Sequence, residues 1–452
     1  MKTDLAPPAA DSGLEKSLGP WMIWGLGVGY VISGEYFGWN LGLPHAGSWG
    51  MLAATAIVTV FYGCFVLAYA EIAAAIPRAG GAFVYADRAL GPDLGALAGL
   101  AQLIEFVFAP PAIAAAIGAY FTLFLPGVPE GAIAAAAYML FVALNIWGVR
   151  QSAVFELIVT VLAVAELLLF CGVALPHFDA AAFHRDALPN GWLGVLPALP
   201  FAIWFFLAIE GVANVAEEAR NPQRDIARGF GLAMATLAVL AVLVFFAATG
   251  VAGWRAIVYD AQGAELDRPL PLALGHIVGE SHPLYHLLVT VGLFGLVASF
   301  HGILLVAGRA TLELGRFGYL PRALGNTLPH RHTPAAALLA VLAVGLVALA
   351  TGKTGDIITL AVFGALVMYV MALLSFFQLR RQQPDLVRPF VAPGYPWLPG
   401  LGLVLALLCL VAVAWSAPGI FGLFVALMVG GWAALRLSGR LGGGRLGGRR
   451  PD

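Results

Sequence analysis

"GVGYVISGEYFGWN", Gly27 to Asn40, interrupts an apolar run that otherwise reads as a membrane-crossing helix. The stretch holds four glycines, a serine and the carboxylate of Glu35. Glycine in a helix interior costs about 1 kcal/mol relative to alanine, and serine competes for backbone hydrogen bonds. Ser33-Gly34 therefore marks a break. Backbone groups freed at membrane depth persist only against protein or a water-filled cavity. A charge at that depth is a functional-site hypothesis by default. The stretch predicts a discontinuous helix that serves a binding site.

The surrounding chain supports that frame. Of its 452 residues, 61% are hydrophobic and only 11% charged, where soluble domains carry about 25% charged residues. Runs long enough to cross a bilayer, about 20 residues each, recur twelve times: 18–43, 49–76, 94–125, 131–149, 153–176, 192–216, 229–252, 285–312, 334–352, 355–379, 398–416 and 418–436. They are too long and too continuously apolar for barrel strands. The expected fold is an all-α integral membrane protein. The polar start, Met1 to Ser17, lacks the apolar core of a signal peptide, so the first run is expected to remain in the mature protein. Cys64, Cys171 and Cys409 fall in apolar runs without metal-ligand spacing and read as core residues.

Lysine and arginine set the expected orientation. With the N-terminus cytoplasmic, twenty of the 24 lie on the inner side, and only Arg185, Arg255, Arg268 and Lys353 lie outside. Both termini are then cytoplasmic. The arginine-rich, Ala/Gly-rich composition points to a bacterial inner membrane, with lipid as the immediate surroundings. Nothing in the pattern suggests nucleic acid as a partner.

The sixth run offers a match for the first. "LPALPFAIWFFLAIEGVANVAEEARNPQRD", Leu196 to Asp225, begins with Pro197 and Pro200 and carries Glu210-Gly211 in mid-span. Interrupted segments at corresponding places in two halves point to the central site of a transporter. The expected division is an N-terminal tail over 1–17, a five-helix repeat over 18–176, an inverted second repeat over 177–380, a helix pair over 381–436 and a basic tail over 437–452.

Four loops carry a family resemblance. "IPRAGGAFVYADRALGP" (Ile76 to Pro92), "EEARNPQRDIARG" (Glu217 to Gly229), "GRFGYLPRAL" (Gly315 to Leu324) and "RPFVAPGYPWLP" (Arg388 to Pro399) follow the second, sixth, eighth and tenth runs. In that order the chain resembles the amino acid–polyamine–organocation transporter superfamily. "GYVISGEYFGWNLGLP" (Gly29 to Pro44) and "AIEGVANVAEEA" (Ala208 to Ala219) are most similar to its bacterial ethanolamine permeases. The resemblance implies a secondary active transporter working by alternating access, with no cofactor and no bound metal.

In amino-acid carriers of the superfamily the first break usually reads Gly-Ser-Gly and holds a substrate carboxylate. Here Ser33-Gly34-Glu35 stands there, and a carboxylate would repel a carboxylate cargo by several kcal/mol in a low-dielectric cavity. The substitution suits a small amine without its own carboxylate, such as ethanolamine. The bland alternative has Glu35 accepting the N–H groups of its own break. Glu210 matches a superfamily glutamate tied to proton response or gating, and two carboxylates near one site would leave a proton to exchange with a cation. Protons are thus a candidate coupling ion.

Further candidates follow from the same resemblance. Trp204 stands where several members cover the substrate with an aromatic, and its face binds ammonium at about 0.5–2 kcal/mol. Packing between helices is the competing reading, and it is favoured for Phe205 and Phe206. Ala208 replaces a family glycine, so a little less unwinding is expected in the sixth helix. The fifth run holds Glu156 and Glu166, with Ala163 where many proton-coupled carriers have lysine. Glu166 reads as a proton group or, preferentially, a hydrogen-bonding residue. Glu105 resembles a family glutamate in the third helix. Ser299 suggests a sodium site with carbonyls of the first helix, and His301 a proton sensor; a satisfied packing histidine is the commoner case. An enzyme would need a nucleophile with a base, or a metal cluster, and neither H-E-x-x-H nor G-x-S-x-G occurs. A transporter-like sensor would carry a signalling domain.

Overall fold

The computed structural model describes residues 18–78, 80–148, 153–260, 262–331 and 333–439. The N-terminal tail, Arg150, His332 and the basic tail from Arg440 lie outside them. All twelve expected runs are helical, and no named strand occurs among the described residues. Among the described residues, ten segments are long and apolar enough to cross a membrane. The first run is short because it is broken, and the ninth, Ala335–Leu349, has 15 residues. The second to fifth spans are Leu43–Ala75, Pro92–Phe121, Glu130–Trp147 and Ala153–Ala174. The seventh, eighth and tenth are Pro222–Ala252, Pro283–Arg316 and Thr354–Gln382, followed by Trp397–Ser416 and Pro418–Leu437.

The packing has the signature of an inverted repeat. The first span packs on the seventh and the sixth on the second; the third packs on the tenth and the eighth on the fifth. Exchanging each span for the one five places on turns every pair into its counterpart. Two broken helices therefore occupy equivalent places at the centre.

The fifth span shows how a helix is sorted between lipid and core. Val154, Ile158, Val161, Leu162, Leu168 and Leu169 are exposed. Glu156, Thr160, Ala163, Glu166, Leu167 and Phe170 are buried. The spacing is that of one helical face.

The first span runs Pro20–Val31, then a turn over Ser33–Tyr36, then Trp39–Gly42. Proline at its start supplies a fixed φ where the N–H would lack a partner anyway. Phe37 is fully extended and Gly38 has φ 90°, which a side-chain-bearing residue adopts only at a cost. The carbonyls released there find new donors. Ser299 Oγ donates to Tyr30 O (3.0 Å), Trp39 Nε1 to Glu35 O (3.2 Å) and Tyr120 Oη to Tyr36 O (3.1 Å). Side chains from the third and eighth spans thus stand in for the missing helical bonds.

The sixth span runs Val195–Trp204 and resumes as a tighter helix over Ile209–Glu218. Between them Ala208 takes φ 75°, in the left-handed region. The alanine therefore does not spare the helix its break, and the interruption falls just before Glu210-Gly211.

Candidate functional site

The two breaks touch. A methyl group on Gly34 would collide with the Trp204 carbonyl, and one on Gly38 with the Trp204 indole. Glycine at both positions lets the first span's unwound backbone lie against the end of the sixth span's first half. Trp204 also meets Phe37 edge to face, with ring centroids 5.6 Å apart, and its buried Nε1 has no hydrogen-bond partner. Phe206 sits 5.2 Å from Tyr62, and Phe205 stacks on Trp39 at 5.7 Å. These phenylalanines fill helix interfaces.

Glu35 is wholly buried, and neither carboxylate oxygen has a donor. The bland reading, in which it accepts N–H groups of its own break, has no hydrogen bond behind it. Cys171 of the fifth span lies within electrostatic reach of Glu35. Ser33, on the turn before it, lies 2.9 Å from Ser299 Oγ. No arginine or lysine reaches Glu35 in an ion pair among the described residues.

Glu210 stands in a separate cluster. Tyr369 Oη of the tenth span donates to its Oε2 at 2.8 Å, and Tyr62 Oη lies 3.0 Å from Tyr369 Oη. The carboxyl of Glu105, on the third span, faces that of Glu210. Glu210 Oε1 and both oxygens of Glu105 have no other donor. Two carboxyl groups in contact repel when both are charged, so the pair is built to take up a cation, whether a proton or an ammonium group. Sequence reading placed Glu35 and Glu210 at one site. In the structure Glu210 is paired with Glu105 and Tyr369, and Glu35 has no hydrogen-bond partner.

The remaining candidates have ordinary partners. Glu166 accepts from Tyr36 Oη at 2.6 Å. His301 Nδ1 lies 3.1 Å from Asn145 Nδ2. Ser299 is committed to Tyr30 O and Ser33. No group of three metal-ligating side chains occurs among the described residues. Beside Tyr36, Tyr120 and Glu166 lies a cavity of only about 10 Å³, the room of about one water.

Sequence reading passed over Tyr36, Tyr62, Tyr120 and Tyr369. Their one signal was a phenol inside an apolar run, because a buried tyrosine hydroxyl usually finds a partner.

The comparisons with known proteins agree with this architecture. The family whose sequence profile matches residues 18–430 is described as amino acid permease. An uncharacterised transporter of Rhizobium meliloti is 29% identical, covering 90% of this chain and 88% of its own. The branched-chain amino acid permease BcaP of Bacillus subtilis is 25% identical over 91% of each chain. A methylthioribose transporter of the same organism is 25% identical over 92% and 91%. With twelve helical segments, two touching breaks and a profile match over nearly its whole length, the chain belongs to the amino acid permease family of membrane transporters.

Proposed function

We propose that the protein imports a small ammonium-bearing solute by alternating access, with the first and sixth breaks forming the binding site. A relative named for branched-chain amino acids favours the broad reading, a permease for an amino acid or another small amine. Glu35 favours a narrower one within it: an amine without a carboxylate, such as ethanolamine. The single observation behind the narrower reading is a fully buried carboxylate, free of donors, in the unwound middle of the first span. Trp204 would cover the ammonium, and Ser33 and Gly34 would line its approach. The lysine and arginine bias supports cytoplasmic termini in a bacterial inner membrane.

Counterflow into proteoliposomes separates the cargoes, using labelled ethanolamine, choline, putrescine, alanine and leucine. The expected result is saturable ethanolamine exchange. Alanine or leucine exchange without ethanolamine would remove the narrower reading and keep the broader. Glu35→Gln removes the charge partner of a buried ammonium, about 2–5 kcal/mol or at least thirtyfold in Kd. Unchanged affinity in a folded Glu35→Gln protein would return Glu35 to a structural role.

A further inference from the structure

Glu156 belongs to neither cluster described above. It lies on the fifth span, is wholly buried, and has no hydrogen-bond partner at either oxygen. Its surroundings are made of glycine. A methyl group on Gly29 of the first span would collide with Glu156 Oε1 and come within 2.8 Å of Thr160 Oγ1. One on Gly302 of the eighth span would stand 3.8 Å from the same oxygen. The first span therefore gives up a side chain where this carboxyl points, while a methyl group on Gly302 would meet Tyr30 first, at 2.8 Å. Thr160, one turn on, is already committed, because its hydroxyl donates to Gly25 O at 3.0 Å.

An ionised carboxylate without water or donors is costly to bury, so a group held in this way calls for a cation. A metal ion asks for several converging oxygens. Thr160's hydroxyl hydrogen is spent on Gly25 O, so it gives Glu156 no donor, and no group of three metal-ligating side chains converges here among the described residues. A proton asks for one.

We propose that Glu156 is a proton-binding site at the seam of the first, fifth and eighth spans, separate from the substrate site, and that it couples transport to the proton gradient. The inference rests on the transport reading above. When the first span leaves the fifth during alternating access, water enters the seam and Glu156 exchanges its proton with the side that is open. When the seam closes, the bound proton neutralises the carboxyl. The spans packed against Glu156 carry titratable groups of their own, of which Tyr30 interacts with it electrostatically. Tyr30 comes from the first span, near the Arg309–Glu218 ion pair. His301 precedes Gly302 on the eighth span and is held by Asn145. Asp225, at the start of the seventh span, accepts from Asn221 N.

The test uses the full chain in liposomes with labelled ethanolamine, or with leucine if the wild type exchanges that instead. One proton per solute at one unit of ΔpH sustains about tenfold accumulation. Wild type is expected to accumulate solute under an inward proton gradient, with proton entry read by trapped pyranine. Glu156→Gln is expected to lose both accumulation and proton entry, while counterflow stays within about twofold of wild type, since exchange needs no net proton movement. Glu156→Gln that still accumulates solute overturns the proposal, as does wild-type uptake that follows a sodium gradient without proton entry. If Glu156→Gln fails to insert, Glu156→Asp decides: a displaced pH midpoint of uptake supports the site, and an unchanged one overturns it. A wild type that exchanges none of the cargoes defeats the transport reading itself, and its counterflow assay reports that separately.

Discussion

Ala208 is a residue out of character with its backbone. It is a non-glycine residue at φ 75°, where an L side chain costs about 1–2 kcal/mol. Glycine there would remove the strain and give back part of the gain through unfolded-chain entropy, up to about 1 kcal/mol. Ala208→Gly is expected to raise the melting temperature in detergent, and Ala208→Val to lower it. A melting temperature that falls in Ala208→Gly would show that the alanine sits there without strain. The sequence made the Ala-for-Gly exchange visible but not its conformation. That conformation is fixed by Trp204, packed onto Gly34 and Gly38 on one side, and by Glu210, tied to Tyr369 on the other.

Single helices and their loops come next. The loop "RPFVAPGYPWLP" after the tenth span is legible in the sequence as a family feature, yet its anchor lies more than 300 residues away. Glu71, near the end of the second span, is buried and pairs with Arg380 and with Arg388 Nε (3.2 Å), while Ala392 N donates to its Oε2 at 2.7 Å. Arg380 also lies over the Tyr395 ring at 4.1 Å. Removing one partner of a buried pair leaves uncompensated charge and costs about 3–5 kcal/mol. Glu71→Ala should therefore lower the melting temperature by several degrees, because it strands two arginines side by side. Melting within about a degree of wild type would mean that the clamp adds nothing to stability.

Across the whole molecule, one connection closes the end of the bundle. The segment after the seventh span carries Arg255 and Arg268, two of the cations expected on the outer side. It contains the helix Pro269–Val278 and reaches three spans. Asn40 Nδ2 donates to Leu266 O (3.1 Å), Arg268 Nη1 to Thr122 Oγ1 (3.1 Å), and Asp267 meets the Thr354 hydroxyl. Asp267 keeps part of its surface accessible, but its carboxyl is set deep between these elements. Burial pushes it up to about 6 from an ordinary 3.8, Glu265 adds to the shift, and Thr354 opposes it. Glu130 and Arg268 are the other charged neighbours. The closed loop prefers the neutral acid, so this contribution is complete below about pH 4 and is lost as pH rises through about 6. Melting temperatures measured from pH 4 to 7 should fall more steeply for wild type than for Asp267→Asn. Parallel curves would remove Asp267 from the latch.

The count of spans, the place of both interruptions and the presence of buried carboxyls could all be read from the chain alone. Each depends on local facts: the length of an apolar run against bilayer thickness, or glycine and serine weakening a helix where they stand. The partners of those carboxyls could not be read in that way. Glu105 meets Glu210, Glu166 meets Tyr36, and Glu35 and Glu156 meet no donor. Such pairings depend on how each helix is rotated and how closely glycines let its neighbours approach, and an all-apolar run carries almost no signal for either.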